Sequence, residues 1–297
     1  MDQDNTSNTP LHTPVLPNEV LSYLNISQNG IYIDGTLGLG GHASLIINRL
    51  SSKGHLIGID RDSETLQHTK KRLSGCKTPV SIFYESYHNF ESILDGLGIN
   101  QVNGILLDLG LSSYQMDSDN RGFSYKSNSD LDMRFDKSQK IKASDLLNHG
   151  SVEDIANIIY QYGEERRSRS IARKIVKMRP LLSVNDLNES IRRSTHPHKR
   201  NKIFARVFQA LRIKVNEELD KLEIFLSIFL DRLSVGGRIV IISFHSLEDR
   251  LVKNAFKNLA SNQQLSILTK KPVTPDKNEI NHNNRCRSAK LRAGEKI

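Results

Sequence analysis

The stretch DGTLGLGGH at residues 34–42 decides the fold of this chain. It follows the apolar run IYID at 31–34 and leads into HASLIINRL at 42–50, whose apolar spacing predicts a helix. Glycines in such a turn let the backbone approach a ligand closely, and the start of the helix presents free N–H groups. A second apolar run, HLIGID, ends at Asp60, where a carboxylate can accept both hydroxyl groups of a ribose. These features together predict a nucleoside-cofactor site.

The loop by itself is compatible with two kinds of cofactor and with a tight turn that binds nothing. The strand, glycines, helix and Asp60 in register favour a ligand over an empty turn. Spacing does not exclude a nicotinamide dinucleotide, because Ala43 occupies the third glycine position of the G-x-G-x-x-G pattern, where alanine is allowed. Asp34, however, would repel a pyrophosphate and suits the amino-acid end of S-adenosylmethionine. We therefore expect S-adenosylmethionine as the cofactor, with Asp34 and Gly38 among its contacts.

Short apolar runs alternate with helical patterns from residue 31 onward, which is typical of βαβ units and a parallel sheet. The runs at 55–60 and 104–109 are nearly all apolar, as strands covered on both faces should be. From 117 to 205 the alternation stops and helical patterns prevail. The sequence therefore predicts a Rossmann-like α/β domain formed by 12–116 and 206–297, interrupted at 117–205 by a helical subdomain. Residues 1–11 are predicted to be disordered.

The later part of the chain predicts a long amphipathic helix, in which Phe208, Leu211, Val215 and further apolar residues up to Phe229 recur at helical spacing. Gly236 and Gly237 are predicted to end this helix. The following segments predict a strand at 238–244, a helix at 247–259, and two weaker extended pieces at 265–270 and 287–293. Within the insert, two capping boxes predict helix starts, at Ser151 with Asp154 and at Ser183 with Asp186.

The charge of the chain favours a polyanionic partner. The 42 Lys and Arg exceed the 33 Asp and Glu by nine, and residues 163–206, with thirteen basic and four acidic residues, account for the whole excess. Basic helices are often only solvated faces, and Glu164 and Glu165 could pair locally with them. Because the excess is confined to one segment, phosphate contact is the preferred interpretation. The predicted RNA contacts are Arg166, Arg169, Arg173 and Lys177, expected close to one helical face, and Arg192, Arg193, Lys199 and Arg200.

The segment DLGLSSYQ at 108–115 places a carboxylate at the end of an apolar strand and a polar loop after it. Ligands of open α/β sheets bind at the carboxyl ends of the strands, so this loop should face the reactive end of the cofactor. An Asp in this position can instead cap a helix or form a turn. His245 follows another strand near the same edge, where it could be catalytic, contact the substrate or simply begin a helix.

Several classes of protein are disfavoured by composition. Two distant cysteines, Cys76 and Cys286, suggest neither a disulfide framework nor a zinc site, and the proline between His196 and His198 argues for a basic loop over a metal site. The polar N-terminus lacks the features of a secretory signal, and no apolar run is long enough to cross a bilayer. We expect a cytoplasmic protein with no metal ion and no membrane contact.

Taken jointly, the motifs resemble one family, the bacterial methyltransferases that modify the N4 of a cytidine in the decoding region of 16S ribosomal RNA. The matching runs cover nearly the whole chain from His12: HTPVL (12–16), DGTLGLGGH (34–42), GIDRD (58–62), GILLDLGLSS (104–113), RGFSY (121–125), LDMRFD (131–136), FQALRIKVNEEL (208–219), SFHSLEDR (243–250) and RSAKLRAGEK (287–296). The resemblance implies a class I S-adenosylmethionine-dependent methyltransferase fold with an inserted helical subdomain, and 16S rRNA, within the small ribosomal subunit, as the partner. It assigns cofactor contacts to Gly40, Gly41, His42, Asp60, Tyr87, Asp108 and Gln115.

Two positions depart from the family pattern. Tyr87 stands where the family commonly has Phe, and its ring should still stack on adenine. Tyr114 replaces a usual proline, which leaves the shape of the loop at 108–115 less defined. On this hypothesis the candidate catalytic residues are Asp108, Ser112 and Ser113, as hydrogen-bond acceptors that orient the amine. A nicotinamide-dependent oxidoreductase and a non-enzymatic RNA-binding assembly factor remain the alternatives.

Overall fold

The computed structural model describes residues 14–117 and 121–297, with the side chains of Ser113, Asp117 and Lys199 set aside. The chain divides into two compact units. The sheet unit comprises residues through Asp60, Glu64–Gly110 and Ile228–Ile297, and the helical unit comprises Arg61–Ser63 and Leu111–Ser227. The N-terminus predicted to be disordered, at 1–11, lies outside the described residues.

The strands are β1 (Ile31–Asp34), β2 (His55–Asp60), β3 (Val80–Tyr84), β4 (Val102–Asp108), β5 (Leu233–Ser243), β6 (Leu265–Ile267) and β7 (Lys290–Lys296). The helices are α1 (Pro17–Leu24), α2 (Gly41–Ile47), α3 (Ser63–Leu73), α4 (Phe90–Gly96), α5 (Ser113–Asp117), α6 (Ala143–His149), α7 (Val152–Gly163), α8 (Ser168–Lys177), α9 (Val184–Arg192), α10 (Arg200–Asn216), α11 (Glu218–Arg232), α12 (Ser246–Ser261) and α13 (Lys277–His282).

The sheet unit is built on one seven-stranded sheet in the order β3-β2-β1-β4-β5-β7-β6. Strands β1 to β5 pair in parallel, and β7 runs antiparallel to both of its neighbours, β5 and β6. Interior positions such as Ile57 and Leu106 are fully buried, as strands covered on both faces require. The predicted Rossmann-like α/β fold is confirmed.

The helical unit has its own apolar core, which α6 to α10 share. Helix α10 contributes Val207, Phe208 and Leu211 to this core. The unit is therefore longer than the segment 117–205 that the sequence pattern delimits. Both predicted capping boxes are confirmed: Ser151 and Asp154 begin α7, and Ser183 and Asp186 begin α9.

The prediction of one long helix from Phe208 to Phe229 is wrong. The chain forms α10 and α11, separated by Glu217 with a left-handed φ of 53°. The buried Asn216 side chain accepts a hydrogen bond from the backbone N–H of Phe135 at 2.8 Å and donates to the carbonyl of Met133 at 2.7 Å. These bonds hold Asn216 at the end of α10, so the backbone turns although the apolar spacing continues.

Gly236 and Gly237 do not end a helix, contrary to prediction. Helix α11 already stops at Arg232, whose guanidinium pairs with Glu91 at 3.1 Å and Asp95 at 2.7 Å. The two glycines lie within β5, where Gly236 has a φ of 75° and the register with β4 shifts. A glycine pair inside a strand marks such an irregularity as readily as a helix end.

None of the helices in the described ranges combines the length and the apolar character needed to span a bilayer.

Candidate active site

Three carboxylates lie at the carboxyl ends of three neighbouring strands in the sheet unit. Asp34 ends β1, Asp60 ends β2 and Asp108 ends β4, and β1 is the middle strand of the three. Adjacent strands are about 4.8 Å apart, so the three acids share one edge of the sheet. This is the edge at which open α/β sheets bind ligands.

The glycine loop after β1 is held by the neighbouring strand and helix. The Gly38 N–H donates to Asp60 Oδ2 at 2.6 Å, and Thr69 Oγ1 donates to the Gly38 carbonyl at 2.5 Å. Gly40 has a φ of 75°, and a Cβ there would lie 2.8 Å from Thr69 Cγ2. Gly38 and Gly40 are therefore required by the shape of the loop, and Asp60 fixes that loop in addition to any contact with a ligand.

Asp34 is almost completely buried, with 1% of its surface exposed. Its Oδ1 accepts a hydrogen bond from the Thr36 N–H at 3.2 Å. Burial raises the pKa of this carboxyl to about 7; the nearby Asp108 and Asp60 act in the same direction, and His42 and the Thr36 N–H oppose them. In the described part of the chain, no Lys or Arg forms an ion pair with Asp34. The position suits a ligand that brings a positive charge.

His42, in the first turn of α2, faces Asp108. Its Nε2 lies 3.5 Å from Asp108 Oδ2, and 6% of its side chain is exposed. Neither ring nitrogen of His42 has a hydrogen-bond partner within the described residues, and the same is true of the buried Asp108 Oδ1. The backbone of Asp108 is held in place, since its N–H donates to Thr36 Oγ1 at 2.6 Å. Buried polar atoms are seldom left unpaired in native proteins, so these three atoms indicate a place for a polar ligand.

Tyr87 and Gly41 complete the predicted cofactor contacts in the sheet unit. Tyr87 is buried in a 3-10 turn after β3, the strand beside β2. Gly41 begins α2, one residue before His42. The sheet unit thus brings to one edge the predicted contacts Asp34, Gly38, Gly40, Gly41, His42, Asp60, Tyr87 and Asp108.

The other predicted residues of the 108–115 loop belong to the helical unit. Ser112 and Gln115 bond each other: Gln115 Oε1 accepts from the Ser112 N–H at 3.0 Å, and Ser112 Oγ accepts from the Gln115 N–H at 3.2 Å. Gln115 Nε2 also donates to Asp62 Oδ2 at 2.8 Å. Ser113 begins α5, and its side chain lies outside the described residues.

Sequence reasoning missed a buried ion pair in the helical unit. Arg121 Nη2 donates to Asp62 Oδ1 at 3.0 Å, and the two residues are 3% and 1% exposed. Arg121 Nη1 also donates to the Phe135 carbonyl at 3.1 Å. We found no local signal for this pair, because its members are 59 positions apart and neither lies in a periodic pattern.

Helix α8 presents part of the predicted basic surface. Arg169, Arg173 and Lys177 are exposed at four-residue intervals, while Ile171 and Ile175 are fully buried, as the amphipathic pattern predicts. Arg166, expected on the same helical face, lies before the helix. The chain turns there because Glu165 accepts from the Arg167 N–H at 3.0 Å and pairs with Arg206 at 2.9 Å. Glu165 therefore neutralises a residue of α10, and no described carboxylate forms an ion pair with Arg169, Arg173 or Lys177 of α8.

The remaining predicted RNA contacts surround the end of α9. Arg193 Nε pairs with Glu189 at 2.8 Å, Arg192 lies 3.8 Å from the same carboxylate, and both arginines are exposed. Arg200 begins α10 and donates to the Arg192 carbonyl at 3.4 Å. Lys199 lies in the preceding 3-10 turn, and its side chain is outside the described residues.

His245 is the N-cap of α12. Its Nδ1 accepts from the Glu248 N–H at 3.3 Å, and the Glu248 carboxylate accepts from the His245 N–H in return. Of the three interpretations of this histidine, the structure supports the one in which it begins a helix.

Comparisons with known proteins agree over nearly the full length of the chain. A sequence model of the MraW methylase family matches residues 9–297. Ribosomal RNA small subunit methyltransferase H of Thermotoga neapolitana is 47% identical, over 97% of each chain, and that of Caldicellulosiruptor saccharolyticus is 43% identical, over 96% of this chain and 99% of the relative. Among solved structures, an rRNA methylase from Streptococcus thermophilus covers 95% of this chain and 93% of its own, at 13% identity and a TM-score of 0.43.

Proposed function

Since the chain belongs to the MraW methylase family, we propose that it transfers a methyl group from S-adenosylmethionine to the exocyclic N4 of a cytidine in the decoding region of 16S rRNA. Its relatives at 43–47% identity carry the name ribosomal RNA small subunit methyltransferase H. The observation that carries the proposal lies beside the glycine loop. His42 and Asp108 face each other at 3.5 Å, and no described residue forms a hydrogen bond with either ring nitrogen of His42 or with Asp108 Oδ1.

The acids of the sheet unit fit the methyl donor. When bound, S-adenosylmethionine supplies an electrophilic methyl group on a positively charged sulfur. Asp34 offers a buried carboxyl with no basic side chain paired to it, which suits the positively charged amino-acid end of the donor. Asp60, at the end of β2, is the proposed partner of the ribose hydroxyls, and the buried ring of Tyr87 is the proposed partner of the adenine.

Asp108 is the main candidate for orienting the acceptor amine. The N4 of cytosine is a weak nucleophile because its lone pair is delocalised into the ring, so alignment must supply much of the rate enhancement. The unpaired Asp108 Oδ1 can accept an N–H of the amine and favour the pyramidal form that attacks. The nitrogen becomes strongly acidic as the new bond forms, so its proton can leave without a strong base. Ser112 and Ser113, four and five positions later in the chain, are the other candidate acceptors.

Substrate binding requires the target base to leave its stack, which costs a few kcal/mol and is easiest in an exposed RNA loop. The exposed cations of α8 and those around the end of α9 are the proposed phosphate contacts of the helical unit. Contacts of this kind hold RNA independently of its sequence, so selection of the base is left to the residues of the candidate active site.

The test is to identify the methylated nucleoside. The protein is incubated with S-adenosylmethionine and with 16S rRNA from a strain lacking this gene, either as naked RNA or within small subunits, and the RNA is digested and analysed by mass spectrometry. We expect N4-methylcytidine at a single site. Methylation of another nucleoside would refute the N4 assignment. No transfer to either substrate, with NAD binding in place of S-adenosylmethionine, would favour the oxidoreductase; no transfer with RNA binding retained would favour an assembly factor.

A further inference from the structure

The outward face of α12, in the sheet unit, is made only of residues that can donate hydrogen bonds. The buried face holds Val252 and Phe256. The exposed residues of this helix are Ser246, Arg250, Lys253, Asn254, Lys257, Asn258 and Ser261. Lys253 and Lys257 are four positions apart and so lie side by side on the helix surface. No exposed residue of α12 is acidic or apolar.

The two carboxylates of α12 do not neutralise these lysines. Glu248 is 2% exposed and accepts the Phe244 N–H at 2.8 Å. Asp249 pairs with Arg292 at 2.7 Å and with Lys290 at 3.2 Å. From residue 250 to 275 the sequence contains no Asp or Glu. Within the described ranges, neither Lys253 nor Lys257 forms an ion pair.

Two further exposed lysines, Lys270 and Lys271, lie in a turn that the sheet holds firmly. Just before it, Thr269 Oγ1 accepts the Ala293 N–H at 3.0 Å. Just after it, Val273 exchanges two backbone hydrogen bonds with Leu291, at 2.8 and 3.0 Å. The position of this charged turn is therefore fixed by both flanks.

The turn lies at the same edge of the sheet as the candidate active site. Leu291 is in register with Ile242 of β5, and Ile242 is in register with Asp108 of β4. Val273 pairs with Leu291 on the side of β7 away from β5, so it is three strand spacings, about 14 Å, from Asp108. RNA whose target base reached Asp108 would place neighbouring phosphates within range of these cations.

We propose that the sheet unit carries a second RNA-binding surface, which starts at Lys270 and Lys271 and continues along α12 with Lys253 and Lys257, and which holds the sugar–phosphate backbone that leads away from the methylated nucleotide. The inference rests on the proposed rRNA substrate. It adds a site of RNA contact that lies outside the basic segment at 163–206. A surface of amines, amides and hydroxyls without carboxylates is suited to phosphate oxygens.

The experiment compares two test variants with a matched control. Lys253→Gln/Lys257→Gln and Lys270→Gln/Lys271→Gln each remove two charges from the proposed surface. Lys53→Gln/Lys77→Gln removes two exposed charges of the same unit from the loops that precede β2 and β3, at the opposite edge of the sheet. Binding of a 16S rRNA transcript is measured between about 50 and 300 mM salt, and thermal midpoints confirm that each variant is folded.

Each test pair should reduce the slope of log affinity against log salt by about 1.4, because a lost single-strand phosphate contact contributes roughly 0.7. Affinity at low salt should fall by about tenfold, and the control should bind as wild type does. An unchanged slope in both test pairs, or an equal loss in the control, would overturn this inference. Failure of the wild-type protein to bind RNA at all would instead refute the proposed function.

Discussion

Two sets of buried polar side chains, one in each unit, are bonded in opposite ways. In the helical unit, the fully buried Asn216 uses both ends of its amide, with Phe135, Met133 and Arg212 as partners. In the sheet unit, the ring of His42, which is 6% exposed, has no hydrogen bond to the described residues at either nitrogen. Both are polar side chains taken out of water, yet only the first recovers its hydrogen bonds within the protein.

This difference separates structural polar groups from functional ones. A satisfied buried network specifies one arrangement of the backbone around it, whereas unpaired groups cost stability unless a ligand completes them. Asp62 belongs with Asn216 in the first class, since both of its carboxylate oxygens accept hydrogen bonds. His42 and Asp108 form the second class. Substitutions should therefore affect folding in one cluster and ligand binding or catalysis in the other.

The largest expected effect is on folding, from Arg121→Met. The substitution removes the guanidinium that pairs with the buried carboxylate of Asp62, and breaking a buried pair in this way typically costs about 3–5 kcal/mol. The free energy of unfolding, measured by urea titration, should fall by about that amount. The double variant Asp62→Leu/Arg121→Met is the control: it removes both charges and should regain a large part of the loss. If Arg121→Met were as stable as wild type, the ion pair between Asp62 and Arg121 would not have the structural role assigned to it.

The second effect is a pH dependence of stability that Asp34 confers. Its folded pKa of about 7 lies above the ordinary 3.8, so the folded state retains a proton that the unfolded state releases. The contribution of Asp34 to the free energy of unfolding is fully present below pH 3.8 and is lost as the pH rises to about 7. Asp34→Asn cannot ionise and should exceed wild type in stability by about 4 kcal/mol at pH 8, but only slightly at pH 4. Urea titrations at pH 4 and pH 8 measure the difference in the free energy of unfolding between the variant and wild type. A difference that does not change with pH would contradict the raised pKa of Asp34.

The third effect is catalytic, from Asp108→Asn. The asparagine amide can still accept a hydrogen bond, but it lacks the negative charge of the carboxylate. We therefore expect kcat for methyl transfer to fall by about 100-fold. The free energy of unfolding should change by less than about 0.5 kcal/mol, since no described residue bonds Oδ1. Single-turnover methylation measures the expected loss of kcat, and urea titration checks that the free energy of unfolding is unchanged. A variant that is fully active would remove Asp108 from the mechanism.

The smallest effect is on RNA affinity, from Arg169→Gln, Arg173→Gln and Lys177→Gln combined. The three exposed cations of α8 should each contribute about 0.7 to the slope of log affinity against log salt, so the triple variant should reduce that slope by about 2 and bind at least about tenfold more weakly at low salt. Stability should be unchanged, because the buried face of α8 is intact. A filter-binding series across salt concentrations is sufficient, and an unaltered slope would mean that this face does not touch RNA.

Sequence patterns predicted the acids of the sheet unit because parallel strands end at one edge. Asp34, Asp60 and Asp108 each close an apolar run, so their common location follows from the fold alone. The contact between His42 and Asp108 could not be predicted in the same way. It joins residues 66 positions apart and depends on how the glycine loop aims the first turn of α2.

The errors at the α10–α11 boundary have a physical cause as well. Helical spacing continues across Glu217, and no glycine or proline marks the break. The break depends on hydrogen bonds from Asn216 to a segment some 80 positions earlier, which a local pattern does not contain. Gly236 and Gly237 were the more conspicuous signal for the end of a helix, but they lie within β5.

The position of β7 has a consequence for the order of assembly during synthesis. This strand is translated after β6 yet lies between β5 and β6, so the outermost strand cannot join the sheet until residues 290–296 exist. The helical unit needs nothing beyond residue 227. Domains generally fold as units during translation. The helical unit starts later in the chain than the sheet unit, but it can finish folding before β7, the last strand of the sheet, has been synthesised.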